Sequence, residues 1–314
     1  MKKVIVVGGA GFIGSHVVDL LLKKNFKVYV LDNFSTGSIE NLGDLTRENL
    51  NIITCDISND EVQNIIININ PYVILLLAAQ PSVIISLKNP ILDAKSNIIG
   101  LLNILEGSRK SNCSKIIFAS SGGTIYGNIN PYDLPIKEDH PKKSRSFYGL
   151  TKLTAISYLE LYKELFGIKY VALALGNIYG PRQSPDGVAG VISIFAKKIL
   201  NSELCTINGD GSTTRDYVYV TDVAEAFVIS ISEGSGSINI GSGIETSVSE
   251  VYFKLLECSG IKGEYINGPE LTGEVNRISL DPTRAKQELN WQASTNFDSG
   301  IKMVLNWIKT QLKL

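Results

Sequence analysis

A glycine-rich turn between a short strand and a helix constrains the fold of this chain more than any other feature. The run Lys3–Val7 is rich in β-branched residues, which is typical of a buried parallel strand. It leads into GGAGFIG, with glycines at Gly8, Gly11 and Gly14, and an apolar helical pattern follows over residues 12–24. The glycines allow a tight turn and the close approach of a pyrophosphate, which would lie at the positive end of the helix. The turn therefore predicts a dinucleotide site.

An acidic residue at the end of the second predicted strand indicates which dinucleotide this site takes. The strand over residues 27–31 is followed by Asp32, 18 residues after Gly14. A carboxylate at this point can accept a hydrogen bond from a ribose 2′-hydroxyl, and it repels a 2′-phosphate. The alternative for Asp32 is a plain cap at the end of a strand. The sequence favours NAD over NADP.

Strand-like and helical patterns alternate through the first half of the chain, which is typical of an α/β fold. Past residue 176 the pattern loosens into loops rich in Gly, Pro and Ser. We predict a Rossmann-type doubly wound parallel sheet in an NAD-binding domain over residues 1–176. A smaller C-terminal α/β lobe for the substrate would cover residues 177–314, with some of its segments returning to the sheet. The predicted strands are 3–7, 27–31, 51–55, 72–78, 115–119 and 169–174, and the predicted helices are 12–24, 61–69, 91–111 and 147–166.

Composition and charge argue against several other classes of protein. The 314 residues carry 30 basic and 31 acidic side chains, a net charge of −1, with no basic stripe for nucleic acid. No apolar run reaches the ~18 residues that a membrane span needs. The chain enters a strand at Lys3, so neither a signal nor a transit peptide is expected. Scattered cysteines favour reduced thiols in the cytoplasm. His16 and His140 are too far apart for an ordinary zinc site, so no metal is expected.

A tyrosine and a lysine four residues apart suggest acid–base chemistry. On a helix, Tyr148 and Lys152 would lie on one face about one turn apart. A nearby cation stabilises a phenolate, lowering the tyrosine pKa from about 10 toward neutral. A phenolate can remove a proton from a substrate hydroxyl. Such pairs are common on solvated helices, so this spacing alone is a weak signal. The segment after the fifth predicted strand, SSGGTIYG (120–127), would bring a hydroxyl to face the tyrosine.

The order of the motifs resembles a known family. The chain is similar to an extended short-chain dehydrogenase/reductase, specifically a nucleotide-sugar epimerase like UDP-glucose 4-epimerase. The resemblance covers nearly the whole chain. The motifs that carry it are GGAGFIG, the strand end Asp32–Asn33, SSGGTIYG, YxxxK at Tyr148, NIYGPR (177–182) and GDGSTTRDY (209–217).

The resemblance implies a set of residues that contact NAD. The glycine turn and the backbone of its neighbours would hold the pyrophosphate, two strand ends would hold the adenosine, and the loop after the fourth strand would lead to the nicotinamide. Lys152 would hold the nicotinamide ribose and the tyrosinate together. The implied cofactor-binding residues are Gly8, Gly11, Phe12, Ile13, Gly14, Asp32, Asn33, Asp56, Ile57, Leu77, Ala78, Ala79, Gln80, Asn97, Tyr148 and Lys152.

The resemblance also implies a site for a UDP-sugar. Asn177 and Arg215 would contact the diphosphate, and residue 278, an isoleucine here, would set the room for a 2-N-acetyl group on the sugar. The other implied substrate contacts are Ser121, Tyr148, Val191, Ile192, Thr206 and Asn208. Family members pair through two helices, so a homodimer formed by helices near 91–111 and 147–166 is expected.

Two departures from the family pattern leave roles open. The catalytic hydroxyl of the commonest pattern falls on Gly122, which has none, so Ser121 or Thr124 must supply it, and Ser121 is favoured. The segment that usually carries an arginine to clamp the diphosphate reads LTGE (271–274) here. Arg277 and Arg215 are the candidates to replace it.

The two residues that follow the position of the catalytic hydroxyl indicate which reactions this chain can catalyse. Related dehydratases carry an Asp–Glu pair there, and decarboxylases carry a Glu. Here the two positions are Gly123 and Thr124, so the general acid or base of those steps is missing. The sequence predicts an NAD-dependent 4-epimerase of a UDP-hexose of the UDP-glucose/UDP-galactose type, acting through a transient 4-keto sugar. The alternatives are a UDP-N-acetylhexosamine or UDP-glucuronate 4-epimerase and a non-catalytic NAD-binding regulator. A reductase that exchanges NADPH is disfavoured by Asp32.

Overall fold

A parallel sheet forms the centre of the protein. The structure is a computed structural model that describes residues 1–186, 190–270 and 275–313. In chain order its strands are β1 (Lys3–Val7), β2 (Lys27–Asp32), β3 (Leu50–Thr54), β4 (Val73–Leu76), β5 (Lys115–Ser121), β6 (Lys169–Leu175), β7 (Asn177–Tyr179), β8 (Cys205–Asn208), β9 (Thr214–Arg215), β10 (Tyr217–Tyr219), β11 (Gly236–Ile240), β12 (Thr246–Ser247) and β13 (Tyr265–Gly268). Its helices are α1 (Phe12–Lys23), α2 (Glu61–Ile69), α3 (Val83–Lys88), α4 (Pro90–Ala94), α5 (Gly100–Arg109), α6 (Gly122–Ile125), α7 (Phe147–Phe166), α8 (Val191–Leu200), α9 (Val220–Ile229), α10 (Val248–Ser259), α11 (Thr283–Leu289) and α12 (Phe297–Leu312).

The order of strands in the sheet reverses beside β1. The order is β3-β2-β1-β4-β5-β6-β11, and every neighbouring pair is parallel. The chain runs from β1 outward to β3 and then returns to β4 on the other side. Ligands of such sheets bind outside the carboxyl ends of the strands, at the point of reversal. The predicted α/β fold with a Rossmann-type doubly wound parallel sheet is confirmed.

The strands are apolar along their length because helices cover both faces of the sheet. Val4 and Val6 pack in the cluster that includes residues of α1 and α9. Ile5 and Val7 pack in the cluster that includes residues of α2, α5 and α7. All four side chains are fully buried, and each such burial contributes about 1.5–3 kcal/mol. A strand buried on both faces needs no polar alternation, which explains the continuous apolar run at the start of the chain.

The second half of the chain builds a separate lobe and also extends the sheet. Helices α8, α10 and α12 share a core that includes Ile192, Val251 and Val304, and β8 pairs in parallel with β13. Strand β11 pairs with β6 at the edge of the sheet, and α9 packs on α1. The proposed division between residues 176 and 177 stays a prediction.

The helix predicted over residues 91–111 differs from the structure. The segment is divided into α4, a π-helical turn at Lys95–Ile99, and α5. The turn contains Asn97, whose side chain accepts a hydrogen bond from the Gln80 amide (2.9 Å) and donates one to the Gln80 carbonyl (3.2 Å). Such turns insert an extra residue into a helix, often at functional sites. The local pattern could not show this interruption, because the bonds that accompany it reach a residue 17 positions away.

Neither a membrane-spanning helix nor a group of metal ligands occurs in residues 1–186, 190–270 and 275–313. No helix in those ranges is both long and apolar enough to cross a bilayer. No three His, Cys, Asp or Glu side chains in those ranges are grouped so that they could hold a metal ion. All four cysteines are free thiols.

Candidate active site

The glycine turn between β1 and α1 is closed so tightly that side chains would not fit in it. Gly8 has a φ of 78°, and a Cβ built on it would lie 2.6 Å from the backbone nitrogen of Ala78. A Cβ on Gly14 would overlap the carbonyl oxygen of Gly8. Gly11 precedes α1, and no side chain caps this helix. The amides of the first turn, at Phe12 and Ile13, are therefore available to an anion.

Asp32 closes the same turn from the end of β2. Its carboxylate accepts hydrogen bonds from the amides of Ala10 and Phe34, both at 2.9 Å. The side chain thus acts as a strand-end cap, the alternative interpretation of this residue, while it also lies beside the turn. Asn33 donates a hydrogen bond to Asp56, which follows β3, at 3.2 Å. These residues lie at the carboxyl ends of β2 and β3, where the sequence placed the adenosine.

The loop after β4 borders the turn and is held by Asn97. Leu77 and Ala78 both donate backbone hydrogen bonds to the carbonyl of Val7, at 2.9 Å. Beyond them, Gln80 is bound through its backbone to Asn97, which is 6% exposed. The amide group of Asn97 is therefore occupied in supporting this loop.

Helix α7 brings Tyr148 and Lys152 to the carboxyl end of β5. The helix begins after Ser146, whose hydroxyl accepts a hydrogen bond from the Gly149 amide at 3.1 Å. The Lys152 Nζ donates a hydrogen bond to the carbonyl of Ala119 at 2.8 Å and lies 5.7 Å from the centre of the Tyr148 ring. Lys152 is 3% exposed. The two side chains share one face of the helix, as their spacing predicted.

Burial dominates the ionisation of this pair. It raises the pKa of Tyr148 to about 12, against a lowering by the hydrogen bond with Ser121, and the charge of Asp93 raises it further. Burial lowers the pKa of Lys152 to about 8, against a raising by Asp93. The sequence predicted that the pKa of the Tyr148 phenol is lowered. With only the protein's own groups around it, the pKa is raised, so this prediction is wrong. The reason is that loss of hydration outweighs any stabilisation of the phenolate by the lysine.

The structure explains the missing hydroxyl at Gly122. A Cβ there would overlap Leu280 Cδ1 and lie 3.1 Å from the Ala174 carbonyl oxygen, so a side chain at this position would point into the core. Ser121 and Thr124 line the cavity beside Tyr148. Ser121 lowers the pKa of the Tyr148 phenol, whereas the buried Thr124 Oγ1 has no hydrogen-bond partner in the described structure.

A cavity of about 1280 Å³ joins the end of the sheet to the second lobe. The structure brings many of the predicted contacts together on its wall: Phe12, Ile13, Ser121, Thr124, Tyr148, Asn177, Val191, Ile192, Thr206, Asn208 and Arg215. Other predicted residues do not line it: Gly8, Gly11, Gly14, Asp32, Asn33, Asp56, Ile57, Leu77, Ala78, Ala79, Gln80, Asn97, Lys152 and Ile278. Most of these belong to the glycine turn, to the loop after β4 or to the carboxyl ends of β2 and β3.

Ile278 lies in the core rather than on the cavity wall. It is 2% exposed and packs in a cluster with Ile125, Tyr126 and Leu280. The residue predicted to set the room for a 2-N-acetyl group therefore does not line the cavity. The segment 271–274, where the family carries a clamping arginine, lies outside the described residues. Of the two candidates to replace it, Arg215 donates to the carbonyl of Val275 at 2.7 Å.

Several residues of the cavity wall were not predicted from the sequence. One of them is Glu245, which accepts two hydrogen bonds, at 2.9 and 2.6 Å, from Arg277, the other predicted candidate for the clamping arginine; both residues line the cavity. The hydrogen bonds from Arg277 hold the pKa of Glu245 below its ordinary value. Phe195 and Lys198 on α8 also line the cavity. Their spacing from Val191, four and seven residues, is that of one helix face and could have identified them.

Comparisons with known proteins agree with this geometry. A protein-family model described as GDP-mannose 4,6 dehydratase matches residues 5–304. A relative described as a putative UDP-glucose 4-epimerase of Methanocaldococcus jannaschii is 42% identical over 306 residues, covering 98% of each chain. The solved UDP-glucose 4-epimerase of Thermotoga maritima, in a structure with UDP-glucose, has a TM-score of 0.95 and 39% identity, covering 99% of this chain and 100% of that one. The UDP-glucose 4-epimerase of Thermus thermophilus, in complex with NAD, has a TM-score of 0.93 and 36% identity, covering 98% and 99%.

The resemblance that the motifs predicted is confirmed by these matches. Each of them spans nearly the whole chain, from the glycine turn to the last helices. This protein therefore belongs to the family that the matching model describes as GDP-mannose 4,6 dehydratase, within the extended short-chain dehydrogenases/reductases.

Proposed function

We propose that this protein is an NAD-dependent 4-epimerase that interconverts UDP-glucose and UDP-galactose. The observation that carries the proposal is the placement of Tyr148 and Ser121 on the wall of one cavity with Asn177 and Arg215. A base and a hydroxyl thus face the same space as residues suited to a nucleotide diphosphate. Relatives and solved structures described as UDP-glucose 4-epimerases support this choice of reaction.

The residues at the reversal of the sheet fit NAD. The turn excludes any side chain at Gly8 and Gly14, which leaves the backbone open to a pyrophosphate at the uncapped start of α1. Asp32 at the end of β2 would meet a ribose hydroxyl, and its carboxylate disfavours a 2′-phosphate. Asn33, Asp56 and Ile57 would flank the adenosine, and residues 77–80 would lead toward the nicotinamide. When bound, NAD supplies a hydride acceptor that can return the hydride.

In this mechanism Tyr148 takes the proton from the sugar 4-hydroxyl and later gives it back. Lys152 stays close to the phenol, and the positive charge of an oxidised nicotinamide would add to its effect in lowering the phenol pKa from about 12. The flat 4-keto sugar turns in the cavity between the two proton transfers. Because oxidation is followed by reduction at the same carbon, no net redox change results.

The second lobe would bind the nucleotide. Val191, Ile192, Thr206 and Asn208 line the cavity and would form the uridine pocket. Asn177 and Arg215 would contact the diphosphate. At Gly123 a Cβ would meet only the Asn177 Oδ1, at 3.7 Å, so packing leaves room for a side chain there. The absence of a carboxylate at this position therefore favours epimerisation over dehydration or decarboxylation.

The direct test is turnover without added cofactor. Purified protein given UDP-galactose should form UDP-glucose, measured by chromatography of the nucleotide sugars. Parallel assays with UDP-N-acetylglucosamine and UDP-glucuronate decide between the main function and its two alternatives. If no UDP-sugar is converted, the epimerase proposal is wrong. If, in addition, no nucleotide sugar reduces the bound NAD, a non-catalytic NAD-binding regulator becomes the better interpretation.

Ser121 is proposed as the hydroxyl that assists Tyr148. Ser121→Ala is expected to lower kcat about 100-fold, because it removes the hydroxyl that lowers the pKa of the phenol. Thr124→Val keeps the shape of the side chain and removes a hydroxyl that has no partner in the described structure, so its expected effect is smaller. Steady-state kinetics of the two variants provide the comparison. A larger loss in Thr124→Val would reverse the assignment.

A homodimer is proposed from an exposed apolar surface on α4 and α7. Leu150, Leu161 and Leu165 are 52%, 46% and 63% exposed on α7, and their spacing places them on one face. Ile91 on α4, which packs beside α7, is 80% exposed. Surfaces of this kind mark interfaces. Sedimentation equilibrium should give twice the chain mass of 34.2 kDa, and a mass of one chain at micromolar concentration would contradict the proposal.

Free thiols and an NAD cofactor favour a cytoplasmic location.

A further inference from the structure

Asp93 is a fully buried carboxylate that the assigned roles leave unexplained. It lies on α4 and has no exposed surface. Its Oδ1 accepts hydrogen bonds from Gln80 Nε2 at 2.9 Å and Asn97 Nδ2 at 3.1 Å, and its Oδ2 accepts one from Thr151 Oγ1 at 2.9 Å. A buried carboxylate is costly unless its oxygens are bonded, and here three donors meet it.

These three donors come from the segments that surround the reacting end of the cavity. Gln80 belongs to the loop after β4, and Asn97 belongs to the π-helical turn. Thr151 lies on α7 between Tyr148 and Lys152, and its hydroxyl is also 2.8 Å from the Tyr148 carbonyl oxygen. Asp93 therefore joins the loop that borders the dinucleotide turn to the helix that carries the base.

The charge of Asp93 also affects the ionisation of Tyr148 and Lys152. Its charge raises the pKa of both side chains. Burial raises the pKa of Asp93 itself, while the bonds from Thr151 and Gln80 and the charge of Lys152 lower it. Of the other charged groups on the surrounding elements, Lys95 on the π-helical turn and Lys88 at the end of α3 are exposed to solvent. Lys152 and Tyr148 are the titratable partners that face this carboxylate from α7.

We propose that Asp93 is a positioning residue for the epimerisation: it fixes the loop after β4 against α7 and supplies the negative charge that keeps Lys152 an ammonium ion beside Tyr148. This inference rests on the proposed function. Asp93 does not line the cavity, so it acts through Lys152, Thr151 and Asn97 rather than on the sugar.

Asp93→Asn tests the proposal because it keeps the size of the side chain and removes the charge. We expect kcat to fall about 10–100-fold with little change in KM for the UDP-sugar. Loss of the negative charge lowers the pKa of both Tyr148 and Lys152. The acid limb of the kcat–pH profile, where Tyr148 must lose its proton, and the alkaline limb, where Lys152 must keep its proton, should therefore both move to lower pH. Asp93→Glu, which restores the charge, should return both limbs toward the wild-type positions.

A matched control separates this effect from a loss of stability. Asp222 is another buried carboxylate, which accepts hydrogen bonds from Ser294 and Thr295 and does not line the cavity. Asp222→Asn should lower the melting temperature and leave both limbs in place. If Asp93→Asn does not fold, Asp93→Ala leaves room for water to bond the three donors and provides the same profile.

The outcomes distinguish the two proposals. An inactive wild-type protein would overturn the epimerase function. An active wild type with unshifted limbs in Asp93→Asn or Asp93→Ala would overturn the role of Asp93 alone. The NAD content of each purified variant, measured by absorbance after denaturation, is expected to stay near the wild-type value. A variant that loses its NAD together with its activity would show that Asp93 stabilises the cofactor site and does not act on the ionisation of Tyr148 and Lys152.

Discussion

Tyr148→Phe should lower kcat about 1000-fold or more and leave the bound NAD in place. The phenyl ring keeps the packing of the half-buried side chain, but it has no oxygen to accept or return the proton of the sugar 4-hydroxyl. Lys152 cannot take over, because its ammonium group, which donates a hydrogen bond to the carbonyl of Ala119 at 2.8 Å, has no lone pair to accept a proton. The measurement is the initial rate with UDP-galactose, together with the NAD released from the denatured protein.

Tyr126→Phe is the matched control for this variant. Tyr126 is 1% exposed, and its hydroxyl donates a hydrogen bond to Asn239 Oδ1 at 2.8 Å, away from the base. Losing that bond should cost about 1 kcal/mol of stability and leave kcat nearly unchanged. Substantial activity in Tyr148→Phe, with normal folding, would show that another group is the base.

Gly14→Ala should yield protein without NAD. The added methyl group would overlap the Gly8 carbonyl oxygen and lie 2.9 Å from the Gly9 Cα, so the turn must open. Overpacking of this kind costs about 1–3 kcal/mol of folding free energy. A displaced turn would also no longer present the start of α1 to a pyrophosphate. The NAD-to-protein ratio after purification and the melting temperature are the measurements.

Gly260→Ala controls for the general cost of replacing a glycine. Gly260 ends α10 with a φ of 70°, and a Cβ there would meet no atom within 4 Å. The strained backbone should cost about 1–2 kcal/mol while NAD is retained. Full NAD content in Gly14→Ala would mean that the turn does not hold the pyrophosphate as proposed.

The sequence predicted most accurately those parts of the fold that depend on local signals. The predicted bounds of β1 and of helix α7, residues 3–7 and 147–166, are those of the structure. An apolar run that ends at a glycine indicates the bounds of β1. A serine cap and a closing glycine indicate the bounds of α7. The carboxyl ends of parallel strands meet along one edge, so the convergence of Tyr148 with Ser121 could also be anticipated.

The remaining features depend on contacts between distant segments. The π-helical turn accompanies bonds from Asn97 to Gln80 and Thr151, which local periodicity cannot reveal. Ile278 matched the family pattern by counting, yet its side chain packs against Leu280 in the core. The raised pKa of Tyr148 depends on burial by the whole site, whereas the spacing to Lys152 shows only the opposing charge effect.

The pairing of β11 with β6 limits how this enzyme can be divided and recombined. Strand β11 comes from the second half of the chain, and its five residues, Gly236–Ile240, pair in parallel with Val171–Leu175. A chimera joined at residue 176 would take its outermost strand from a different parent than the strand beside it. The side chains of Ile238 and Ile240 would then have to fit a foreign core. A graft that exchanges substrate specificity should therefore keep residues 236–240 with the parent that supplies the sheet.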